Sequence, residues 1–174
     1  MLISNNKYLE NLILPKLKQA VDYVVQKIWN ENRELIRILV YESYDPIAYE
    51  RTGQFKEAWD TSVNSLGNYI EGEFKYDPRE LIVNYDKWQH GSRYTKNETE
   101  YETVMTTYLA DIIYQGTAGH MFGEGPWTKK RDAWSALDKW LTNTQFRKLF
   151  EEGMSQAGIP WHRNIGGIKV EKQK

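Results

Sequence analysis

The sequence predicts an α+β fold, in which a long N-terminal helix and a C-terminal helix pack on a small, mainly antiparallel β-sheet. Three observations predict it. Apolar residues recur at helical spacing from Leu17 to Leu39. Apolar and charged residues alternate from Tyr69 to Tyr76, and a second helical pattern occupies the stretch from Trp134 to Phe150. The 174 residues suit one domain that buries enough surface to need no metal or disulfide staple. Residues 1–165 are expected to form that domain and residues 166–174 a flexible tail.

The leading helix rests on Leu17, Val21, Val24, Ile28, Leu35 and Leu39, spaced by three, four or seven, with Ala20 and Val25 beside them. It is expected to run to about Val40, because Tyr44-Asp45-Pro46 is a poor helical tripeptide. Pro15 fits either in the first turn, where its missing N–H is harmless, or as a kink in a helix begun near Tyr8. A helix of about 25 residues is about 37 Å long, so part of it is expected to serve a neighbour.

Gly53 marks a turn or cap, and Thr52 is expected to cap a short helix holding Phe55, Ala58 and Trp59. From Tyr69 to Tyr76, Ile70, Gly72, Phe74 and Tyr76 share one face and Glu71, Glu73 and Lys75 the other, which reads as a half-buried strand. Asp77-Pro78 turns the chain, and Leu81, Val83 and Tyr85 read as a second strand forming a hairpin with the first. Gly91 to Thr99 reads as an exposed loop. Val104 to Tyr114 is expected to be mainly helical and to end at Gly116. Gly116 to Gly125 holds four glycines and is expected to be flexible. Thr128 can cap a helix carrying Trp134, Leu137, Trp140 and Leu141, with Thr142-Asn143-Thr144 interrupting it before Phe146, Leu149 and Phe150.

Composition narrows the function classes. Aromatic residues make up 14% of the chain, including seven Trp and twelve Tyr. Such side chains fill either a core or an interface, where they give large contact area at low entropic cost. A net charge of -1 argues against a protein that coats nucleic acid. The absence of Cys excludes disulfides, thiolate catalysis and Cys-ligated zinc, and suits synthesis in a reducing cytoplasm. The first residues lack the pattern of a signal peptide, and no apolar run is long enough for a membrane span.

Motifs for chemistry are sparse. His90, His120 and His162 have no second His at helical spacing. His90 stands near Asp86 and His120 near Glu124, the residue types a metal-dependent nuclease would use. The glycine-rich stretch 116–125 lacks both the Gly-Lys-Ser/Thr ending of a phosphate loop and Gly-x-Gly-x-x-Gly spacing. Its Met121 and Phe122 suit a partner contact instead. Trp127 followed by Lys129, Lys130 and Arg131 offers stacking and phosphate contact, and three cations at a helix start favour an acidic partner or DNA. No Ser stands in a nucleophile elbow. No catalytic residue, metal ligand or cofactor site is expected.

Tyr49-Glu50-Arg51-Thr52-Gly53-Gln54-Phe55-Lys56-Glu57-Ala58-Trp59 follows the long amphipathic segment, and Leu109-Ala110-Asp111-Ile112-Ile113-Tyr114-Gln115-Gly116-Thr117 and Gly125-Pro126-Trp127 come later. That order, from about Tyr41 to Trp161, resembles the HK97 gp10-like head–tail junction proteins of tailed bacteriophages. The resemblance implies a non-enzymatic virion protein of the neck or tail-completion region, assembled in the host cytoplasm. Copies would form a ring between portal or connector and tail proteins, with incidental contact to DNA in the channel. The alternatives are a phage-encoded metal-dependent nuclease and a non-phage adaptor that binds another protein through aromatic residues.

Overall fold

A computed structural model describes residues 6–43, 53–67, 69–81, 108–116 and 129–160, with side chains from residue 11 onward. It is an α+β arrangement of a long N-terminal helix, further helices and a two-stranded antiparallel sheet. Helix α1 spans Asn6–Ile36, and a π-type turn continues it over Arg37–Tyr41. Strands β1 (Trp59–Leu66) and β2 (Tyr69–Tyr76) pair as a hairpin. Residues 108–115 form α2, followed by α3 (Ala133–Trp140) and α4 (Asn143–Gln156).

Helix α1 is longer than its apolar pattern predicts, and Pro15 lies in its interior. The kink alternative is therefore the relevant one, with Pro15 removing one backbone donor within the helix. The buried residues form a strict ladder of Ala20, Val24, Ile28, Asn32, Ile36 and Val40, with Val25 beside it. Steps of four residues advance about 40° each, so the ladder winds about 160° round the helix between Ala20 and Ile36. For that reason Leu17, Val21, Leu35 and Leu39, predicted on the stripe, are not buried. In the π-type turn, the Glu42 N–H donates to the Arg37 carbonyl at 2.9 Å.

The hairpin corrects one sequence expectation. Strand β2 has the predicted alternation: Ile70, Phe74 and Tyr76 are half-buried, and Tyr69, Glu71, Glu73 and Lys75 exposed. Among the described residues it pairs with the upstream strand β1, which was not expected, and Trp59 begins that strand instead of closing a short helix. Phe55 sits in a single helical turn, Gln54–Lys56, entered through Gly53 at φ 75°. Thr52, the expected downstream strand residues Val83 and Tyr85, and the Gly91–Thr99 loop lie outside the described residues.

The chain divides into two compact units. The first comprises Met1–Asn30, Thr61–Phe74 and Asp138–Lys174, and the second Glu31–Asp60 and Lys75–Leu137. In the first, the backbone of β2 comes so close to α1 that a Cβ on Gly72 would stand 2.6 Å from Val25 Cγ2 and 2.7 Å from Val21 Cγ1. Helix α4 approaches α1 as closely, since a Cβ on Gly153 would meet the Ala20 carbonyl oxygen at 2.6 Å. The Tyr23 hydroxyl donates to the Glu152 carboxylate at 2.9 Å, and Gln26 Nε2 to Thr61 Oγ1 at 3.1 Å. Thr142 caps α4, its hydroxyl accepting from the Gln145 N–H at 3.1 Å. The helix closes with Gly158 at φ 67°, where the Ile159 N–H donates to Met154 O and the Gly158 N–H to Ser155 O. In the second unit, Arg33 pairs with Glu57, and Arg37 with Glu34 and Glu42. The Asp77 N–H closes the open end of the hairpin on the Ala58 carbonyl at 3.0 Å.

Candidate functional site

The second unit is organised by aromatic rings. Trp59 stacks on Tyr114 (centroids 6.2 Å apart, planes 26° apart) on the one hand and on Trp134 (5.6 Å, 14°) on the other. Phe55 meets Trp59 edge-on at 6.3 Å and Tyr114 at 5.8 Å, and Tyr76 tilts against Trp59 at 5.4 Å and Phe55 at 6.1 Å. Each of these rings comes from a different element. Phe55 sits in the turn after Gly53, Trp59 and Tyr76 on paired strands, Tyr114 on α2, and Trp134 on α3. Edge-to-face and offset contacts of this kind add attraction beyond the area they bury. Trp134 is the outermost, at 42% exposure, whereas Phe55, Trp59 and Tyr114 are buried.

Burial raises the phenol of Tyr76 to about 12, with Asp111 nearby adding to the effect. Burial likewise raises Tyr114 well above the ordinary phenol value, reinforced by Tyr76 and Asp132. The Tyr114 hydroxyl makes no hydrogen bond among the described residues. Asn32, in the same unit, is fully buried with both amide atoms equally unsatisfied.

The predicted contact residues divide. Lys129 and Lys130 are exposed, but Arg131 is only 6% exposed, its N–H donating to the Ile113 carbonyl at 3.1 Å. The three cations therefore do not form one solvated face. They also precede the helix instead of opening it: α3 begins at Ala133, and Asp132 caps it. The Asp132 carboxylate accepts from the Ser135 N–H at 2.8 Å and the Ser135 hydroxyl at 2.7 Å, and Lys130 Nζ lies 2.9 Å away. Burial pushes the Asp132 carboxyl upward, but Ser135 and Lys130 more than offset it, leaving a net lowering. Such an arrangement caps a helix and leaves Asp132 ionised; it is poorly suited to relaying protons. Met121, Phe122, Trp127 and Thr128 lie outside the described residues, as do His90, His120, His162, Asp86 and Glu124. Among the described residues, no group of three or more His, Asp or Glu could hold a metal ion, and no helix is long and apolar enough to cross a membrane.

The first unit carries a different surface. From residue 11 to residue 19, no side chain of α1 is buried, although the stretch holds Leu12, Ile13, Leu14 and Leu17. Leu12 and Ile13 are 49% and 46% exposed. At the hairpin turn, Leu66 and Tyr69 are 41% and 55% exposed. None of these four residues stood out in the sequence as a contact candidate. The only signal near two of them is the hairpin-turn dipeptide Gly67-Asn68 between Leu66 and Tyr69.

Comparison with protein families, with curated proteins and with solved structures gives no match.

Proposed function

We propose that this protein is a structural assembly component, built in several copies into the neck or tail-completion region of a tailed bacteriophage between portal or connector and tail. The observation that supports an assembly role is the partly uncovered start of α1. Large aliphatic side chains on a helix ordinarily face a packing partner. Here, about two and a half turns bear four large aliphatic residues, of which Leu12 and Ile13 are exposed and Leu14 and Leu17 only half-buried. A neighbouring molecule would supply the missing cover. The placement at a head–tail junction is supported by the Arg51-Thr52-Gly53 and Gly116-Thr117 segments and their order along the chain. In the second unit, the 42% exposed Trp134 on a helix capped by Asp132 offers an aromatic contact of the kind enriched at interfaces.

The test combines solution mass with imaging of purified particles. Many copies arranged about one axis at the head–tail junction are expected. A chain that remains monomeric at all accessible concentrations and is missing from purified particles would overturn the reading.

A further inference from the structure

We propose that copies of this chain associate head-to-tail, with the start of α1 in one copy docking on the outward face of the β1–β2 hairpin in the next. The proposal rests on the self-association part of the reading above and assigns the two surfaces that carry it.

The first surface is the helix start. Leu12 and Ile13 are exposed, and Lys16, one turn further along and also exposed, shares their side of the helix. The second surface follows from strand alternation. Gly72 presses against Val21 and Val25 of its own α1. Residues 69, 71 and 73 therefore point the other way. Ser62 Oγ donates to the Glu73 carboxylate at 3.3 Å, which places Ser62, and with it the alternate residue Leu66, on that same outward face. This face thus presents Leu66 and Tyr69 at the turn, the exposed Glu71 and Glu73 behind them, and Lys75 at its far end. Because it points away from the part of α1 that its other face covers, that part of the helix cannot shield it.

The two surfaces complement each other. Each has an exposed apolar pair; one adds a lysine and the other two carboxylates next to the pair, with a lysine only beyond them. Their spacing also agrees. Leu12 and Lys16 are about 6 Å apart along a helix axis, and Tyr69 and Glu71 about 7 Å apart along a strand. Setting Leu12 on Tyr69 with helix and strand running the same way brings Lys16 opposite Glu71. Pairing like surfaces has no such benefit. Hairpin against hairpin would bring the glutamates together, and helix start against helix start would bring the lysines together. Two different surfaces on one chain give a heterologous contact, which repeats to close a ring or extend a filament.

The absence of native cysteine makes the test clean. Leu12→Cys and Tyr69→Cys are prepared as separate full-length variants, mixed, and treated with a short thiol-reactive cross-linker. A cross-linked pair containing one of each is expected, with neither variant cross-linking to itself. In sedimentation, Lys16→Glu and Glu71→Lys should each weaken self-association by about fivefold, and the two changes together in one chain should restore it. Self-linked Leu12→Cys, an unlinked mixture, or no recovery in the combined variant would each overturn the proposal. Incorporation into particles without the mixed cross-link would remove this interface and leave the assembly role standing. The mixed cross-link in a protein missing from particles would do the reverse.

Discussion

The two units of this protein are packed by opposite means. In the first, backbones approach each other where side chains are missing: Gly153 admits the Ala20 carbonyl, and Gly72 admits Val21 and Val25. In the second, volume is filled by rings, with Trp59 in contact with Phe55, Tyr76, Tyr114 and Trp134. The second unit also buries polar groups, with Asn32, Asp77 and Arg131 all largely removed from solvent. The difference teaches where each unit is vulnerable. A unit built on close approach is sensitive to added atoms, and one built on rings to removed atoms.

The largest expected effect tests the ring-packed unit. Trp59→Ala should lower stability by about 3–5 kcal/mol, as deletion of a buried aromatic does when its cavity cannot collapse. Guanidinium unfolding measures it. A loss below about 1 kcal/mol would mean that the rings are not what holds this unit together.

The matching test in the first unit adds a single methyl. In an exposed helix, Gly→Ala stabilises by about 1 kcal/mol. At Gly153 the new Cβ would meet the Ala20 carbonyl oxygen at 2.6 Å, and backbone cannot swing aside as a side chain does. Gly153→Ala should therefore reverse sign and destabilise by about 1–3 kcal/mol. A rise in Tm would show that α1 and α4 are not in close contact.

A third substitution sharpens the contrast by improving the second unit. The Asn32 amide is fully buried and makes no hydrogen bond among the described residues. Asn32→Leu, with the same branched skeleton but greater bulk, should raise stability by up to about 1 kcal/mol, because removing that desolvated amide outweighs the tighter fit. Lowered stability, read as a fall in Tm, would imply that the amide has a partner in the folded protein.

The smallest effect is electrostatic. Arg79 beside Asp77, with the Arg79 N–H at 3.0 Å, holds the Asp77 carboxyl down at about 2, below its ordinary 3.8. A depressed carboxyl contributes stability that is present above its unfolded value and lost as pH falls through its folded one. The second unit should thus weaken between about pH 4 and pH 2, modestly, since the Arg79 side chain is exposed and salt screens it. Asp77→Asn should flatten that part of the acid unfolding profile, and an unchanged profile would remove the pair from the account.

Part of this structure was legible from the chain. The α1 helix was, because apolar residues at a period near 3.6 line one side of a helix and would scatter over both faces of a strand. Strand β2 was, because charged and apolar residues alternate along it, and the break between α3 and α4 was marked by Thr142, which caps the second of them. Strand β1 was not. Asp60-Thr61-Ser62 and Asn64-Ser65 are too polar to announce a strand, and its pairing with β2 stabilises it despite weak propensity. The cap of α3 was misplaced because Thr128 and Asp132 are both good cap residues, and only the path of the chain into α3 selects the second.

The candidate surfaces divide in the same way. That the chain is rich in aromatic residues and carries a long amphipathic helix is a property of its sequence alone, since composition and periodicity need no partner to be read. Which rings are buried was not. Trp134 shares a helical pattern with Leu137, yet Leu137 is buried and Trp134 is 42% exposed, because the neighbours that cover a helix face are brought by distant segments. Likewise, Arg131 and Lys130 are adjacent cations in the sequence, and only the backbone bond from Arg131 to the Ile113 carbonyl near the end of α2 accompanies the burial of one while the other stays in solvent. Local pattern determines the strongly periodic elements, α1 and β2, whereas β1 forms through its pairing. Exposure is decided by contacts between residues far apart in the chain, and these exist only once it has folded.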